Sequence, residues 1–490
     1  MRRRSSARSR NSSQTKTDPP IAAVILAAGE GTRMRSRRAK VLHEVGGRAL
    51  VEHVVGAAID SGAAPVIVVV GAQAAEVERR LREFEDRRRS GAEPSLLVFV
   101  RQTERRGTAD AVSRARGALR RFDGDVLILS GDVPALPAAA LRALIRRHRH
   151  TEAALSVLTA EPADASGYGR IVRGADRRIR AIVEHGDATA ELRRIREINS
   201  GTYCARWTDL RAALSKIRPD NAQGEYYLTD AVRVLLAKGE HVEGMLHGEP
   251  AELLGINSRE QLASMHRLMN QRHLERLMQQ GVTLLDPATT WVHTGVRVGQ
   301  DTILHPQVTL EGRTRIGRDC VVRSGCRLTD VVVGHRVELL EHTVASEARV
   351  GDDSKVGPFA HLRPGTTIGP TCKIGNFVET KKAVFGRGSK ASHLSYLGDA
   401  VIGRNVNVGA GTITCNYDGE KKHQTTLADG VFIGSDTQLV APVKVGRRAY
   451  VAAGSTVTKD VPPKALAVAR SRQTNVEGWV ERREQKRGRD

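Results

Sequence analysis

The sequence predicts an α/β chain in two parts: a domain with a mostly parallel sheet, followed by a parallel β-helix of hexapeptide repeats. Three observations predict it. Short β-branched runs alternate with helical patterns in the first half, and apolar-Gly pairs recur at multiples of six residues in the second. The length, 490 residues, exceeds the ~250–300 at which one hydrophobic core stops growing.

In the first half, Ile21–Leu26, Val66–Val70, Leu96–Val100, Val126–Leu129 and Leu155–Leu158 read as buried strands. Leu50–Ser61 and Ala109–Leu119 read as helices between them. This rhythm is that of βαβ units, whose sheets bind ligands at the carboxyl ends of the strands. Ser258 and Gln261 form a capping box, Leu262, Met265, Met269 and Leu277 share one helical stripe, and Gly281 closes it. The stretch 258–281 is therefore a connecting helix.

From Gly295 the texture changes. Val298-Gly299, Ile316-Gly317, Val350-Gly351, Val356-Gly357, Ile368-Gly369, Ile374-Gly375, Ile402-Gly403, Val408-Gly409, Ile433-Gly434 and Val445-Gly446 are the recurring pairs, with glycine intervals of 6, 12 or 18 within the regular stretches. A six-residue period is that of a parallel β-helix with one aliphatic side chain per face in a narrow core. The intervals 375–403 and 409–434 break it. Insertions in a solenoid go to loops, so these two stretches are expected to carry a site.

Composition excludes several classes. Apolar runs stop well short of the ~18 residues of a membrane span, so no membrane association is expected. Five cysteines without a CxxC pair argue against disulfides and zinc and for a reducing compartment, the cytoplasm. The net charge of +22 invites nucleic acid, but only 3 % of residues are aromatic, too few for stacking platforms. Anionic small molecules account for the charge equally well. The start is basic without an apolar segment, so it reads as a disordered tail rather than a secretory signal.

The first strand runs into Leu26-Ala27-Ala28-Gly29-Glu30-Gly31-Thr32-Arg33, whose small residues let backbone N–H groups approach a phosphate. It is neither a dinucleotide fingerprint, since Met34 stands where the third glycine belongs, nor a P-loop. The stretch 26–42 resembles the signature of sugar-phosphate nucleotidyltransferases, with Lys40 at the phosphate-binding lysine. Ser130-Gly131-Asp132 matches the family's metal-binding aspartate at a strand end. Gln102, Gly107-Thr108, Gly167–Ile171, Glu184-His185, Asn199–Gly201 and Asn221–Tyr227 match further segments.

In the second half, His361–Gly365, Gly375–Glu379, Lys381-Lys382, His393–Asp399, Gly409–Gly419 and Gly434–Gln438 are the specific segments. With the first half they make residues 20–470 resemble the bacterial bifunctional enzymes of UDP-N-acetylglucosamine synthesis: N-acetylglucosamine-1-phosphate uridyltransferase fused to glucosamine-1-phosphate N-acetyltransferase, the GlmU family. The resemblance implies a Rossmann-like nucleotidyltransferase domain before a left-handed β-helix. It divides the chain into a basic tail (1–19), the uridyltransferase domain (20–259), a linker helix (260–280), the acetyltransferase domain (281–470) and a basic C-terminal tail (471–490).

The resemblance also implies site residues. Leu26, Ala27, Ala28, Gly29, Lys40, Gln102, Gly107 and Thr108 would bind UTP; Gly169, Glu184, Asn199 and Asn257 would complete the UDP-N-acetylglucosamine site; Asp132 and Asn257 would hold Mg²⁺. A phosphate monoester is already an anionic nucleophile, so uridylyl transfer needs charge neutralisation and alignment rather than a base. In the second half His393 would be the general base, as suits an imidazole titrating near pH ~6.5. Arg363, Lys381, Tyr396 and Asn407 would hold glucosamine-1-phosphate, and Ala410, Asn416, Tyr417, Ser435, Ala453 and Arg470 acetyl-CoA. Hexapeptide acyltransferases are typically trimers, so a homotrimer is expected, and products would feed peptidoglycan and lipopolysaccharide precursors. Two positions depart from the family: Glu30, where Lys is frequent, and Ser130, where an aromatic often stands. A β-helix serving only as an oligomerisation arm has no need of His393, Tyr396, Asn416 or Tyr417. A non-enzymatic relative should lack Lys40, Asp132 and Asn257.

Overall fold

The computed structural model describes residues 18–29, 31–71, 73–89 and 94–487; the basic N-terminal tail lies outside them except for its last two residues. The chain divides into two compact units between Met269 and Asn270.

The main sheet of the first unit is built from β1 (Ile21–Ala27), β2 (Val66–Val70), β3 (Leu97–Arg101), β4 (Asp125–Ser130), β5 (Leu155–Ala160), β6 (Arg170–Arg173), β7 (Ile179–Val183), β8 (Ile198–Arg206) and β9 (Val242–Leu246). Their order is β9-β5-β8-β4-β1-β2-β3, with the β6–β7 hairpin joined to β8. Its helices are α1 (Leu50–Asp60), α2 (Ala74–Asp86), α3 (Thr108–Ser113), α4 (Ala138–His150), α5 (Trp207–Leu214) and α6 (Asp230–Ala237). Alternate strand residues serve opposite cores. Ile25, Val68 and Leu129 pack with residues of α1, α2 and α4, while Val24, Val69 and Ile128 pack with residues of α3, α5 and α6. Because both faces are covered, the central strands read as unbroken apolar runs.

The sheet is mostly parallel, as expected: β1 pairs parallel with β2 and β4, β2 with β3 and β5 with β9, while β8 lies antiparallel between β4 and β5. No crossover helix separates β8 from the β6–β7 hairpin, so the chain returns by antiparallel pairing. The helix expected over Ala109–Leu119 is α3 followed by a single 3-10 turn at Arg114–Arg116. Gly117, which costs about 1 kcal/mol relative to Ala inside a helix, marks its end.

Helix α7 (Arg259–Gln279) begins at the capping box: the Gln261 Oε1 accepts the N–H of Ser258 at 3.2 Å, and the Ser258 Oγ accepts that of Gln261 at 3.3 Å. Gly281 ends it with φ +88, and the Val282 N–H reaches back to the Leu277 carbonyl at 3.1 Å.

The second unit is a parallel β-helix, the fold class the sequence predicts. Two- and three-residue strands pair with those one coil later, as in Arg297↔Arg315 and Val408↔Ile433. All ten aliphatic residues of the repeat pairs lie in one core. At one inner corner a small polar residue ties several coils to the next: the Ser354 and Ser389 hydroxyls donate to Gly369 and Gly403 carbonyls at 3.0 and 2.7 Å. The Cys320 and Cys372 thiols do the same to Gly334 and Gly386, both at 3.1 Å. These cysteines are free and structural. Past the repeats, Trp479–Arg487 forms an exposed helix, α8, inside the stretch expected to be only a tail.

The two period breaks differ in kind. The 375–403 interval is no insertion: Phe385-Gly386 is a further repeat pair with an aromatic in the aliphatic position, in coils one residue short. What distinguishes it is length, since Lys373–Lys381 and Lys390–Gly398 are nine-residue strands. The 409–434 break is an insertion, a tight excursion at 416–423 pinned by the Tyr417↔Lys422 bridge.

Candidate active sites

The first site forms where β1 and β4 end. Lys40 enters from a 3-10 turn (Lys40–Leu42), and its ammonium donates to the Asp132 carboxylate and, at 3.0 Å, to the Asn257 Oδ1. Asp132 follows β4, and Asn257 is carried on a segment whose Ile256 N–H bonds the Asp132 carbonyl at 3.0 Å. A carboxylate and an amide oxygen thus converge on one cationic point. Hard oxygen donors at a strand end, with room for phosphates beside them, fit a small divalent cation. Among the described residues no cluster of three or more acidic, His or Cys groups offers a closed all-protein metal cage. An open site completed by phosphates is the arrangement the donors suit.

Two clefts share this point. One, of about 260 Å³, is lined by Leu26, Ala28, Gly29, Lys40, Gln102, Gly107, Thr108 and Asp132. Its floor is preorganised: the Gln102 amide donates to the Gly107 carbonyl at 3.1 Å and to Asp110 at 2.9 Å. Gly107, at φ +105, lies where a Cβ would fall 2.5 Å from the Tyr226 carbonyl, so no other residue fits. The other, of about 210 Å³, is lined by Asp132, Tyr168, Gly169, Glu184, Asn199, Thr229 and Asn257. A bulge between Asn199 and Thr202 turns β8 into it, and Asn199 bonds the Gly169 carbonyl through its N–H at 2.9 Å. Glu184 accepts from the Thr229 hydroxyl at 3.2 Å. Burial, with Asp187 and Asp230 nearby, pushes its carboxyl above the ordinary carboxylate range. Ala27 lines a third cleft, which shares Ala28 and Gly29 with the first. The structure therefore gathers every residue named for the first site into connected clefts. It adds Tyr168, whose hydroxyl accepts from the Gly255 N–H at 3.2 Å, together with Arg105 and Glu225. Tyr168 and Glu225 lie within segments the sequence already matched, Gly167–Ile171 and Asn221–Tyr227, whereas Arg105 is placed only by the fold.

The second group stands on the β-helix surface. Asn376 and His393 are ladder partners, and the Asn376 Oδ1 lies 2.7 Å from the His393 Nδ1. An amide oxygen only accepts, so Nδ1 carries the proton and Nε2 is left free to take another. Register carries the column onward, since Ala391↔Val408, Val408↔Ile433 and Ile433↔Val451 set His393, Ala410, Ser435 and Ala453 at equivalent positions of successive coils. Arg470 joins the end of the column by donating to the Ala453 carbonyl at 3.0 Å.

Beside the column lies a cationic group. Arg363 pairs with Glu379 at 2.6 Å, and Glu379 neighbours Tyr396 in the ladder. Lys422, then Arg363 and Lys382, hold the Lys381 ammonium below the usual lysine range. Such crowding of like charge is relieved by a bound anion. The Tyr396 hydroxyl and the Asn416 amide both lie where a Cβ on Gly398 would fall, and Asn416 donates to Asp399 at 2.6 Å. Tyr417 sits on the insertion, fixed by Asp418, whose carboxylate accepts the N–H groups of Glu420 and Lys421 and bonds His423 at 2.6 Å. Asn407 is set apart: it pairs with Lys390 and Phe432 in the ladder and shares no hydrogen bond with the cationic group among the described residues. Asn376, Glu379 and Lys422 enter through register and through the insertion.

Comparison with known proteins agrees with this division. The Nucleotidyl transferase family matches residues 22–295. Bacterial transferase hexapeptide (six repeats) matches 347–382, and Hexapeptide repeat of succinyl-transferase matches 425–459. The chain is 48 % identical over 459 residues to the bifunctional protein GlmU of Geotalea uraniireducens, covering 94 % of this chain and 98 % of that one. It is 49 % identical over 458 residues to that of Trichlorobacter lovleyi, covering 94 % and 97 %. Against that of a Geobacillus species it is 45 % identical over 460 residues, covering 94 % and 97 %.

Proposed function

The chain belongs to the family of the bifunctional protein GlmU, and from that premise we propose how its two sites divide the work. It is a bifunctional enzyme of UDP-N-acetylglucosamine synthesis: it acetylates glucosamine-1-phosphate and transfers a uridylyl group to the product. Its oligomeric hexapeptide half and its small-molecule substrates follow from the same family.

In the first site, a phosphate oxygen of N-acetylglucosamine-1-phosphate attacks the α-phosphorus of UTP. One P–O bond forms, the bridging α–β P–O bond breaks and pyrophosphate leaves. Lys40 would neutralise the phosphates, Gln102, Gly107 and Thr108 would seat the nucleotide, and Glu184 and Asn199 would orient the sugar. Nucleotidyltransferases of this kind use a divalent metal. Asp132 and Asn257 would hold it, as Mg²⁺, and the ion when bound supplies further charge neutralisation.

In the second site, the glucosamine amine attacks the thioester carbonyl of acetyl-CoA. His393 would accept the amine proton at Nε2, the C–S bond breaks, and the departing thiolate takes up a proton as CoA. Asn376 would hold the imidazole in the tautomer this requires. Arg363, Lys381 and Lys422 would grip the sugar phosphate, and the Ala410–Ser435–Ala453 column would take the acetyl-CoA. Tyr396, Asn407, Asn416, Tyr417 and Arg470 complete our assignment. We place the enzyme in the cytoplasm as a homotrimer; no helix among the described residues is long and apolar enough to cross a membrane.

The observation that carries two activities rather than one is the stacking of Asn376 and His393 beneath the Ala410 column. An arm that only holds subunits together has no use for an imidazole fixed in one tautomer. A product assay tests it: glucosamine-1-phosphate, acetyl-CoA, UTP and Mg²⁺ should yield CoA, pyrophosphate and UDP-N-acetylglucosamine. Turnover only of the already acetylated sugar would reduce the β-helix to an arm.

A further inference from the structure

The third cleft, of about 380 Å³, adjoins the nucleotide cleft at the Gly29 loop. It shares Ala28 and Gly29 with the nucleotide cleft, and Thr32, Ser36, Arg37 and Arg38 line it. Arg33, Arg35, Arg37 and Arg38 put four guanidinium groups into six consecutive residues. Little acid answers them. The Arg38 guanidinium stands 3.8 Å from a Glu44 oxygen that Arg80 already holds at 3.0 Å, and Arg37 has no acidic partner among the described residues. The segment is nonetheless held in place. The Ser36 hydroxyl accepts the Arg38 N–H at 3.1 Å, and the Gln73 amide donates to the Arg37 carbonyl at 2.6 Å.

An undercompensated pair of exposed arginines, carried on a backbone held in place and lining a cleft, suits an anion with several oxygens, since guanidinium forks bind phosphate oxygens in pairs. Because the cleft opens from Ala28 and Gly29, the anion that reaches it without leaving the nucleotide is the distal end of a triphosphate. We infer that Arg37 and Arg38 seat the pyrophosphoryl group, first as the β and γ phosphates of the nucleotide and then as the leaving pyrophosphate. This rests on the uridylyl-transfer reading and adds to it the residues that bind the departing group.

The test runs the reaction backwards, from UDP-N-acetylglucosamine and pyrophosphate with Mg²⁺. The Arg37→Ala/Arg38→Ala enzyme is expected to raise the KM for pyrophosphate about tenfold or more, while the KM for UDP-N-acetylglucosamine moves less than about twofold. Arg37→Lys, which keeps the charge and loses the fork, should fall between. Calorimetric titration of magnesium pyrophosphate into wild type and Arg37→Gln/Arg38→Gln reads the same site without turnover, and a folded variant that binds as wild type does overturns the inference. So does an unchanged KM for pyrophosphate, or an equal rise for both substrates, which would mark a distorted loop. A wild type unable to catalyse pyrophosphorolysis would overturn the functional reading and this inference together.

Discussion

In the proposed acetyl transfer Asn376 would contribute no reacting atom, and its part would be to hold the His393 Nδ1 through its amide oxygen, leaving Nε2 free. Asn376→Ala should therefore lower kcat for acetyl transfer about tenfold while leaving the KM for glucosamine-1-phosphate nearly unchanged. Steady-state kinetics of the acetyl half alone would show it. Glu184 gives a prediction of another kind. Its folded carboxyl titrates above its unfolded value, so its contribution to stability is full below the unfolded pKa and is lost as pH rises through the folded one. Glu184→Gln removes that loss. Thermal melts should show the variant gaining on wild type as pH rises out of the acid range, with the advantage vanishing on acidification. At this scale the sequence exposed the residues that stand inside compact motifs, Lys40, Asp132 and His393. It concealed Asn376 as partner of His393 and Lys422 as neighbour of Lys381. One contact depends on ladder register, and the other on the path of the insertion.

At the level of elements, the six-residue period was legible because the β-helix core is one side chain wide, so each coil must place an aliphatic residue there. It misled at 375–403, where Phe385 fills the aliphatic position and the coils shorten by one residue. The long strands there, not a loop, display Asn376, Lys381, His393 and Tyr396. The true insertion depends on Asp418, whose carboxylate is held well below its usual range by the Lys421 N–H, by His423 and by the Glu420 N–H. Asp418→Ala should release that turn and with it Asn416, Tyr417 and Lys422. The expected result is a fall of about tenfold or more in kcat/KM for acetyl transfer, with uridylyl transfer unchanged; assays of the two halves separately would check it. In the α/β unit the alternation of strands and helices was legible. The antiparallel β8 was not, because its direction depends on the hairpin before it rather than on its own composition.

Over the whole molecule, the β-helix leaves an apolar ridge at one corner. Phe359, Phe377 and Leu394 are 49, 55 and 61 % exposed on successive coils, and His342, Phe359 and Phe377 stack at 4.9 and 5.5 Å. The ridge borders Asn376 and His393, which in one chain stand open to water. A second copy covering it would exclude that water and complete the site. Phe359→Asp/Phe377→Asp should therefore yield a smaller species by light scattering and lose acetyl transfer, while uridylyl transfer persists.

The central claim is that one chain carries two separable active sites, and the most direct measurement compares Asp132→Asn with His393→Ala, each given glucosamine-1-phosphate, acetyl-CoA, UTP and Mg²⁺. Asp132→Asn is expected to release CoA at the wild-type rate, accumulate N-acetylglucosamine-1-phosphate and form UDP-N-acetylglucosamine at least about 100-fold more slowly. His393→Ala should release no CoA yet make UDP-N-acetylglucosamine at the wild-type rate once given the acetylated sugar. Loss of both activities in either well-folded variant, or CoA release at the wild-type rate by His393→Ala, would contradict it.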